Sequence, residues 1–246
     1  MKKSVFKSSL RVWARLLSRD LGISVVFTGM QPCSSEGMIQ VFALPDEIDG
    51  FVERALIGAI DHEAGHVEPI NGSRMSDPRR KAATRNLVNK YGLIGHIVWN
   101  TLEDMRIEQN MYERFPGAYP YFEAVREYLW QVSSDDMDDY LKKRGLDASP
   151  PSLQALTGLS YVRFPRLYRK FIVPRSSKEV LALIKHWTPY VEQAVNAESV
   201  WEIFELAEHL LKDLLDLADI PKKESCGSSS KDQEGDSQGE GQEGDS

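Results

Sequence analysis

Apolar residues recur at every third or fourth position along most of this chain, which is the spacing that one face of an α-helix requires. Only two short runs, ISVVFTG at 23–29 and MIQVFALP at 38–45, are rich in the β-branched and aromatic residues typical of strands. The 246 residues are enough to bury a full core without disulfide bonds. The pattern therefore predicts an α+β fold that is mostly helical, with a small sheet near the N-terminus.

The predicted helices are separated by glycine, proline and polar segments. The intervening PCSSEG segment is typical of a turn, so the two strands could pair as a hairpin. The first helix ends before Gly22. The later helices are expected at 47–67, 82–115, 120–133, 136–144, 152–171, 176–196 and 198–218.

The C-terminal segment has a different composition from the rest of the chain. From Pro221 onward it contains Gly, Ser and acidic residues and has no large apolar side chain. Such a segment cannot bury enough surface to fold. We therefore expect one folded domain at 1–220 and a disordered acidic linker at 221–246, which precedes a further domain in a longer protein.

The sequence HEAGH at 62–66 suggests a metal site. His62 and His66 lie one helical turn apart on the same face, so both imidazoles can bind one zinc ion. Glu63 follows the first histidine directly, where its carboxylate can take a proton from a water molecule on the metal. The alternative is an amphipathic helix that carries two histidines without a metal.

A catalytic zinc ion usually has a third protein ligand. The segment NTLEDMRIEQN at 100–110 offers Glu103 as this ligand, with Asp104 as the alternative. His96 is a rival, because a site with three histidines would belong to another class. Asp104 or Glu108 could instead hold a histidine ligand in the correct tautomer. These carboxylates could also simply form ion pairs with basic groups on a solvated helix face.

The motifs HEAGH, LEDMRIE and RFPGA, in this order, resemble the metallopeptidase-like domains of the gluzincin type. More closely, residues 25–120 resemble the N-terminal region of CobT-like proteins, a cobalt chelatase subunit and its phage-borne relatives. In that family an acidic linker joins this region to a von Willebrand factor A domain. The acidic segment KDQEGDSQGEGQEGDS is similar to the start of such a linker.

This resemblance implies a zincin-like core in which the small sheet packs on the HEAGH helix. It places His62 and His66 on the zinc histidines, Glu63 on the general base and Glu103 on the third ligand. The chain departs from the family at Ile107, where many gluzincins carry an acidic residue, so Asp104 or Glu108 would have to take that role.

Two functions remain open from the sequence. The first is a zinc-dependent endopeptidase that hydrolyses a protein or peptide substrate, with an exposed strand such as MIQVFAL as the docking edge. The second is a non-catalytic metal-binding module that assembles with an AAA-type ATPase.

Composition argues against several other classes of function. The net charge of −7 lies largely in the acidic tail and leaves no strongly basic face, so we expect no nucleic-acid partner. Arginines interrupt the apolar residues of the N-terminal segment, which is unlike a signal peptide. No stretch is apolar enough for a membrane span. Two cysteines, one of them in the tail, predict a reducing, cytoplasmic location.

Overall fold

Helices dominate the structure, and a small sheet lies near the N-terminal end. The computed structural model describes residues 3–20, 22–29, 32–35, 37–67, 77–133 and 150–217. Within these ranges the chain is mostly helical with one three-stranded sheet, which confirms the predicted α+β class. The helix expected at 136–144 and the linker expected at 221–246 lie outside the described residues.

The elements follow one another along the chain in a simple order. The helices are α1 (Lys3–Ser18), α2 (Gly50–Val67), α3 (Pro78–Tyr91), α4 (Leu93–Arg114), α5 (Tyr119–Ser133), α6 (Pro151–Leu159), α7 (Lys178–Val195) and α8 (Val200–Leu217). The strands are β1 (Ser24–Gly29), β2 (Cys33–Ser35) and β3 (Met38–Phe42). Short helical turns, Pro116–Ala118 and Pro165–Leu167, precede α5 and follow α6.

The sheet differs from the predicted hairpin. β1 and β3 pair in parallel, and β2 pairs antiparallel on the other side of β3, so the order is β1-β3-β2. The prediction was wrong because PCSSEG, taken as a turn, contains the return strand β2. Three residues are too few to show an alternating pattern. The strand predicted as the docking edge, β3, lies in the centre of the sheet, and β2 forms one edge.

Two of the predicted helices are interrupted. The helix expected at 82–115 is divided into α3 and α4 at Gly92, whose φ of 68° lies in the left-handed region that favours glycine. The helix expected at 152–171 ends at Leu159 and resumes only at Pro165. Proline has no amide hydrogen to donate into a preceding turn, which makes it suitable as the first residue of a new helical segment.

Helix α2, which carries HEAGH, lies at the centre of the fold. It contacts α1, α4, α5, β2 and β3. The Asp49 carboxylate accepts hydrogen bonds from the amides of Phe51 and Val52 at 2.9 and 2.8 Å, and thereby caps the start of the helix. At Gly58 the backbone of α5 comes so close that a β-carbon would lie 2.5 Å from the Tyr121 carbonyl carbon. The contacts from both sides fix the position of α2.

Buried apolar side chains from α1 through α8 form one hydrophobic cluster. Ile39 and Val41 of β3, both fully buried, contribute to it from the sheet. Within the described ranges, none of the helices combines the length and apolar character needed to cross a bilayer.

We expect Gly58→Ala to lower the free energy of unfolding by about 3 kcal/mol, because the new methyl group overlaps the backbone of α5. Helix propensity by itself favours alanine over glycine by about 1 kcal/mol. A loss of stability in this variant would therefore show the effect of the close packing. Urea denaturation measures the change. Gly50→Ala in the same helix is the control, since its β-carbon would meet only the Arg54 guanidinium at 3.7 Å. Equal stability of the two variants would contradict the close approach of α2 and α5.

Candidate metal site

Helices α2 and α4 bring two histidines and one aspartate together. His62 and His66 lie on the same face of α2, with ring centroids 5.0 Å apart. Asp104 of α4 lies against both rings. Its Oδ1 is 3.1 Å from Nε2 of His66 and 3.5 Å from Nε2 of His62. The possible ligand atoms of the three residues all lie within 4.8 Å of one another, so this cluster could hold a metal ion.

The distances between these atoms suit a tetrahedral ion. Nitrogen and oxygen ligands about 2.1 Å from zinc in tetrahedral geometry lie about 3.4 Å from each other. The two histidine–aspartate distances of 3.1 and 3.5 Å lie on either side of this value. The three side chains retain between 9 and 18% of their exposure, so water can reach the cluster.

A buried carboxylate orients His62. Oε1 of Glu108, one turn after Asp104 on α4, lies 3.0 Å from Nδ1 of His62. An ionised carboxylate can only accept a hydrogen bond, so Nδ1 carries the proton. In the neutral ring Nε2 then has a free lone pair, and this is the nitrogen that faces Asp104. Glu108 thus provides the support that metal-binding histidines usually have.

Two arginines hold Glu108 ionised. Nη2 of Arg126, on α5, donates to Oε1 of Glu108 at 2.7 Å. Arg163, in the turn after α6, lies 3.9 Å from Oε2 of the same carboxylate. Burial acts to raise the pKa of Glu108, but the Arg126 charge and the contact with His62 outweigh it and lower this pKa to about 2. Sequence reasoning missed both arginines, because they lie far from Glu108 along the chain and only the packing of the helices brings them to it.

The negative charge around His62 is strong enough to hold a proton on the ring. Burial alone would lower the pKa of His62, but the Asp104 charge, the hydrogen bond to Glu108 and the Glu63 charge raise it to about 9. A bound cation would interact with the same carboxylates. Asp104 is itself positioned by Asn100, whose Nδ2 donates to Oδ2 at 3.2 Å.

Glu63 lies beside the cluster, facing strand β2. Glu63 is only 4% exposed, and its carboxylate interacts with the side chain of Ser34 in β2. Burial raises the pKa of Glu63, although the two histidines and Ser34 act to lower it. Burial and the Glu63 charge also raise the pKa of the thiol of Cys33, the neighbouring residue in β2. The contact with β2 was not predicted, because PCSSEG was taken as a turn.

Glu103, the predicted third ligand, is placed elsewhere. Its carboxylate is fully buried and accepts hydrogen bonds from Nε and Nη2 of Arg106 at 2.8 and 2.9 Å. Arg80 of α3 donates a third, at 3.3 Å. Of the two carboxylates left open by the sequence, the structure therefore brings Asp104, and not Glu103, to the histidines.

His96 and several residues of α4 and α5 have contacts outside the cluster. His96, the rival ligand, stacks on Trp99 at 5.8 Å and is not part of the cluster. Arg106 pairs with Glu103, as described above. The hydroxyl of Tyr119 donates to the Arg163 carbonyl at 3.0 Å. Tyr112 packs against Tyr119, with ring centroids 6.0 Å apart. Tyr121 contributes to a cavity next to α1.

Comparison of the chain with protein-family models, with curated proteins and with solved structures found no match. The resemblance to gluzincin and CobT-like domains therefore stays a prediction drawn from the motifs.

We expect Asp104→Ala and Glu103→Ala to have opposite effects. Asp104→Ala removes a ligand atom and lowers the metal content measured by elemental analysis, while the ion pairs of Glu103 stay in place. Glu103→Ala leaves two buried arginines without their carboxylate and lowers the free energy of unfolding by about 3–5 kcal/mol, with metal content retained. A folded Glu103→Ala variant without metal would instead identify Glu103 as the ligand.

The raised pKa of His62 predicts how the stability of the metal-free protein depends on pH. The protonated ring contributes fully to the free energy of unfolding below pH 6.5, the ordinary pKa of histidine. This contribution is lost as the pH rises through about 9. A pKa that differs by one between the folded and the unfolded protein changes the free energy of unfolding by about 1.4 kcal/mol. We expect NMR titration to show the high pKa, and Asp104→Asn to lower it. Glu113→Gln, at an exposed position of the same helix, is the control and should leave the titration unchanged.

Proposed function

We propose that this chain is a zinc-dependent metallopeptidase. The observation that carries the proposal is the convergence of His62, His66 and Asp104, whose two histidine–aspartate distances suit a tetrahedral ion, with Glu63 adjacent on the same helix. Two imidazole nitrogens and one carboxylate oxygen are donors that zinc accepts, and three protein ligands leave one position open for water. A bound zinc ion would supply Lewis acidity and make that water acidic near neutral pH.

The residues of the chain would move the proton. Glu63 takes a proton from the attacking water and gives it to the nitrogen of the leaving amine, as a general base and then a general acid. The raised pKa of Glu63, caused by burial, brings the carboxyl closer to the pH at which both transfers are efficient. The Ser34 side chain of β2 lies next to this carboxylate.

The surrounding charges would keep the ligands in place. Glu108 fixes the tautomer of His62, and Arg126 keeps Glu108 ionised. Asn100 orients the second oxygen of Asp104 and leaves the first directed at the histidines. These supports lie on α4 and α5, so the metal site depends on the packing of both helices against α2.

The edge strand β2 would bind the substrate. Its outer side is a sheet edge, where an extended peptide can form backbone hydrogen bonds as an additional strand. Because Ser34 of β2 contacts Glu63, a peptide on this edge would lie close to the general base. The substrate class we propose is therefore an extended protein segment.

One observation favours the second function, a non-catalytic metal-binding module that assembles with an AAA-type ATPase. Glu63 is 4% exposed and faces Ser34 of β2, so it would have to turn towards the water to act as a base. A purely structural site would use the same ligands without this movement.

We expect elemental analysis of the purified protein to find about one zinc per chain, and His62→Ala to lose it. A site with two histidines and one carboxylate can also hold iron(II), so the same measurement distinguishes the two metals. Glu63→Gln should retain the zinc and lower the rate of peptide cleavage at least a hundredfold. The rate is measured on a mixture of quenched fluorescent peptides and on the chain itself.

Glu179→Gln, at an exposed position in the first turn of α7, is the control and should keep full activity. Zinc at full occupancy without any cleavage that depends on Glu63 would favour the non-catalytic module. Absence of metal after zinc is added back would rule out both functions.

A further inference from the structure

A cavity of about 460 Å³ lies between α1, α2 and the start of α5. Small-molecule sites usually measure about 300–1,000 Å³, so this volume fits one small ligand. Asp61 of α2 contributes to its wall and directly precedes His62 in the chain. Successive residues of a helix point about 100° apart, so the cavity and the metal cluster lie on different faces of α2.

The cavity has an apolar interior and an aromatic rim. Phe6, Leu10 and Leu17 of α1 are buried and form its inner wall. Trp13 and Phe115 are 40 and 36% exposed and stand at the opening. An apolar stem that enters from solvent would therefore lose contact with water along the inner wall.

The charged groups in the lining are all acidic. Asp61 is 3% exposed, and its Oδ1 accepts one hydrogen bond from Nε1 of Trp13 at 2.7 Å. Glu53, about two turns before Asp61 on the same face of α2, is half-buried. Among the described residues that line the cavity there is no lysine, arginine or histidine. Burial raises the pKa of Asp61 to about 7, and a positive charge in the cavity would stabilise the ionised form of this carboxyl.

Aromatic rings at the opening provide a second attraction for a cation. Trp13, Tyr121 and Phe115 all line the cavity, and the faces of such rings attract organic cations. One of the three already makes a contact of this type, because the Arg114 guanidinium lies 5.2 Å from the centre of the Phe115 ring. Arg114 does not line the cavity, and its contact is with the Phe115 ring. Trp13 and Tyr121 are therefore the two rings at the opening that can attract a cation in the cavity.

We propose that this cavity is a binding site for a small organic cation, an alkylammonium group on an apolar stem. The apolar wall accepts the stem, and Asp61, Glu53 and the aromatic rings together select a positive charge. An anion would be repelled by the acidic side chains, and a neutral molecule would bring no positive charge to them. The inference does not depend on the metal, because no ligand of the proposed metal site lines the cavity.

The test is calorimetric titration of the chelator-treated full chain with hexyltrimethylammonium, hexanol and hexanoate. Chelation keeps the result independent of the metallopeptidase proposal. We expect the cation to bind at least tenfold more tightly than the alcohol and the carboxylate not to bind. NMR of the indole N–H of Trp13, assigned by its loss in Trp13→Phe, should show that the cation binds in this cavity.

The matched variants test the role of charge. Glu53→Gln keeps the shape of a half-buried side chain and should weaken the cation about tenfold. Asp61→Asn should weaken it further while keeping the contact with Trp13. Glu205→Gln, at an exposed position on α8, should have no effect. A peptide that contains trimethyllysine and has blocked termini is compared with hexyltrimethylammonium. Tighter binding of the peptide would mean that the ligand is a methylated lysine side chain of a protein.

Three results would overturn the proposal. One is equal binding of the alcohol and the cation, which would mean that the cavity selects apolar surface alone. Another is an unchanged affinity in Glu53→Gln. The last is an unchanged Trp13 signal during binding, which would place the cation elsewhere on the protein.

Discussion

The buried carboxylate of Glu108 connects four parts of the chain. It contacts His62 on α2, belongs to α4, accepts a hydrogen bond from Arg126 on α5 and lies near Arg163 after α6. Removing any one of these charges would leave the others buried without compensation, which is unfavourable in a protein interior. The orientation of the first histidine is therefore a product of the tertiary structure and not of helix α2 alone.

The local part of the metal site could be predicted from the sequence. HEAGH on a helical pattern is sufficient to place His62 and His66 on one face, because their spacing is a property of the helix itself. The choice between Glu103 and Asp104 could not be made in this way. These neighbours differ by about 100° around α4, and the rotation of that helix is set by distant contacts such as Arg80 with Glu103 and Phe204 with Trp99.

The errors in the fold have a related physical cause. The pairing of β1 with β3 could not be read from their composition, since parallel and antiparallel partners use the same residue types. The three-residue strand β2 is recognised as a strand only because β3 supplies its hydrogen bonds. By contrast, the long helices with sustained apolar periodicity, such as α2, α7 and α8, lie close to where they were predicted.

Asp61, His62 and Glu63 are consecutive, yet each faces a different neighbour: α1 through Trp13, α4 through Asp104, and β2 through Ser34. The insertion or deletion of a single residue just before this triplet would turn it by about 100°. His62 would then face the partner of an adjacent residue. A change in the length of this helix should therefore disturb the site more than the replacement of many of its side chains.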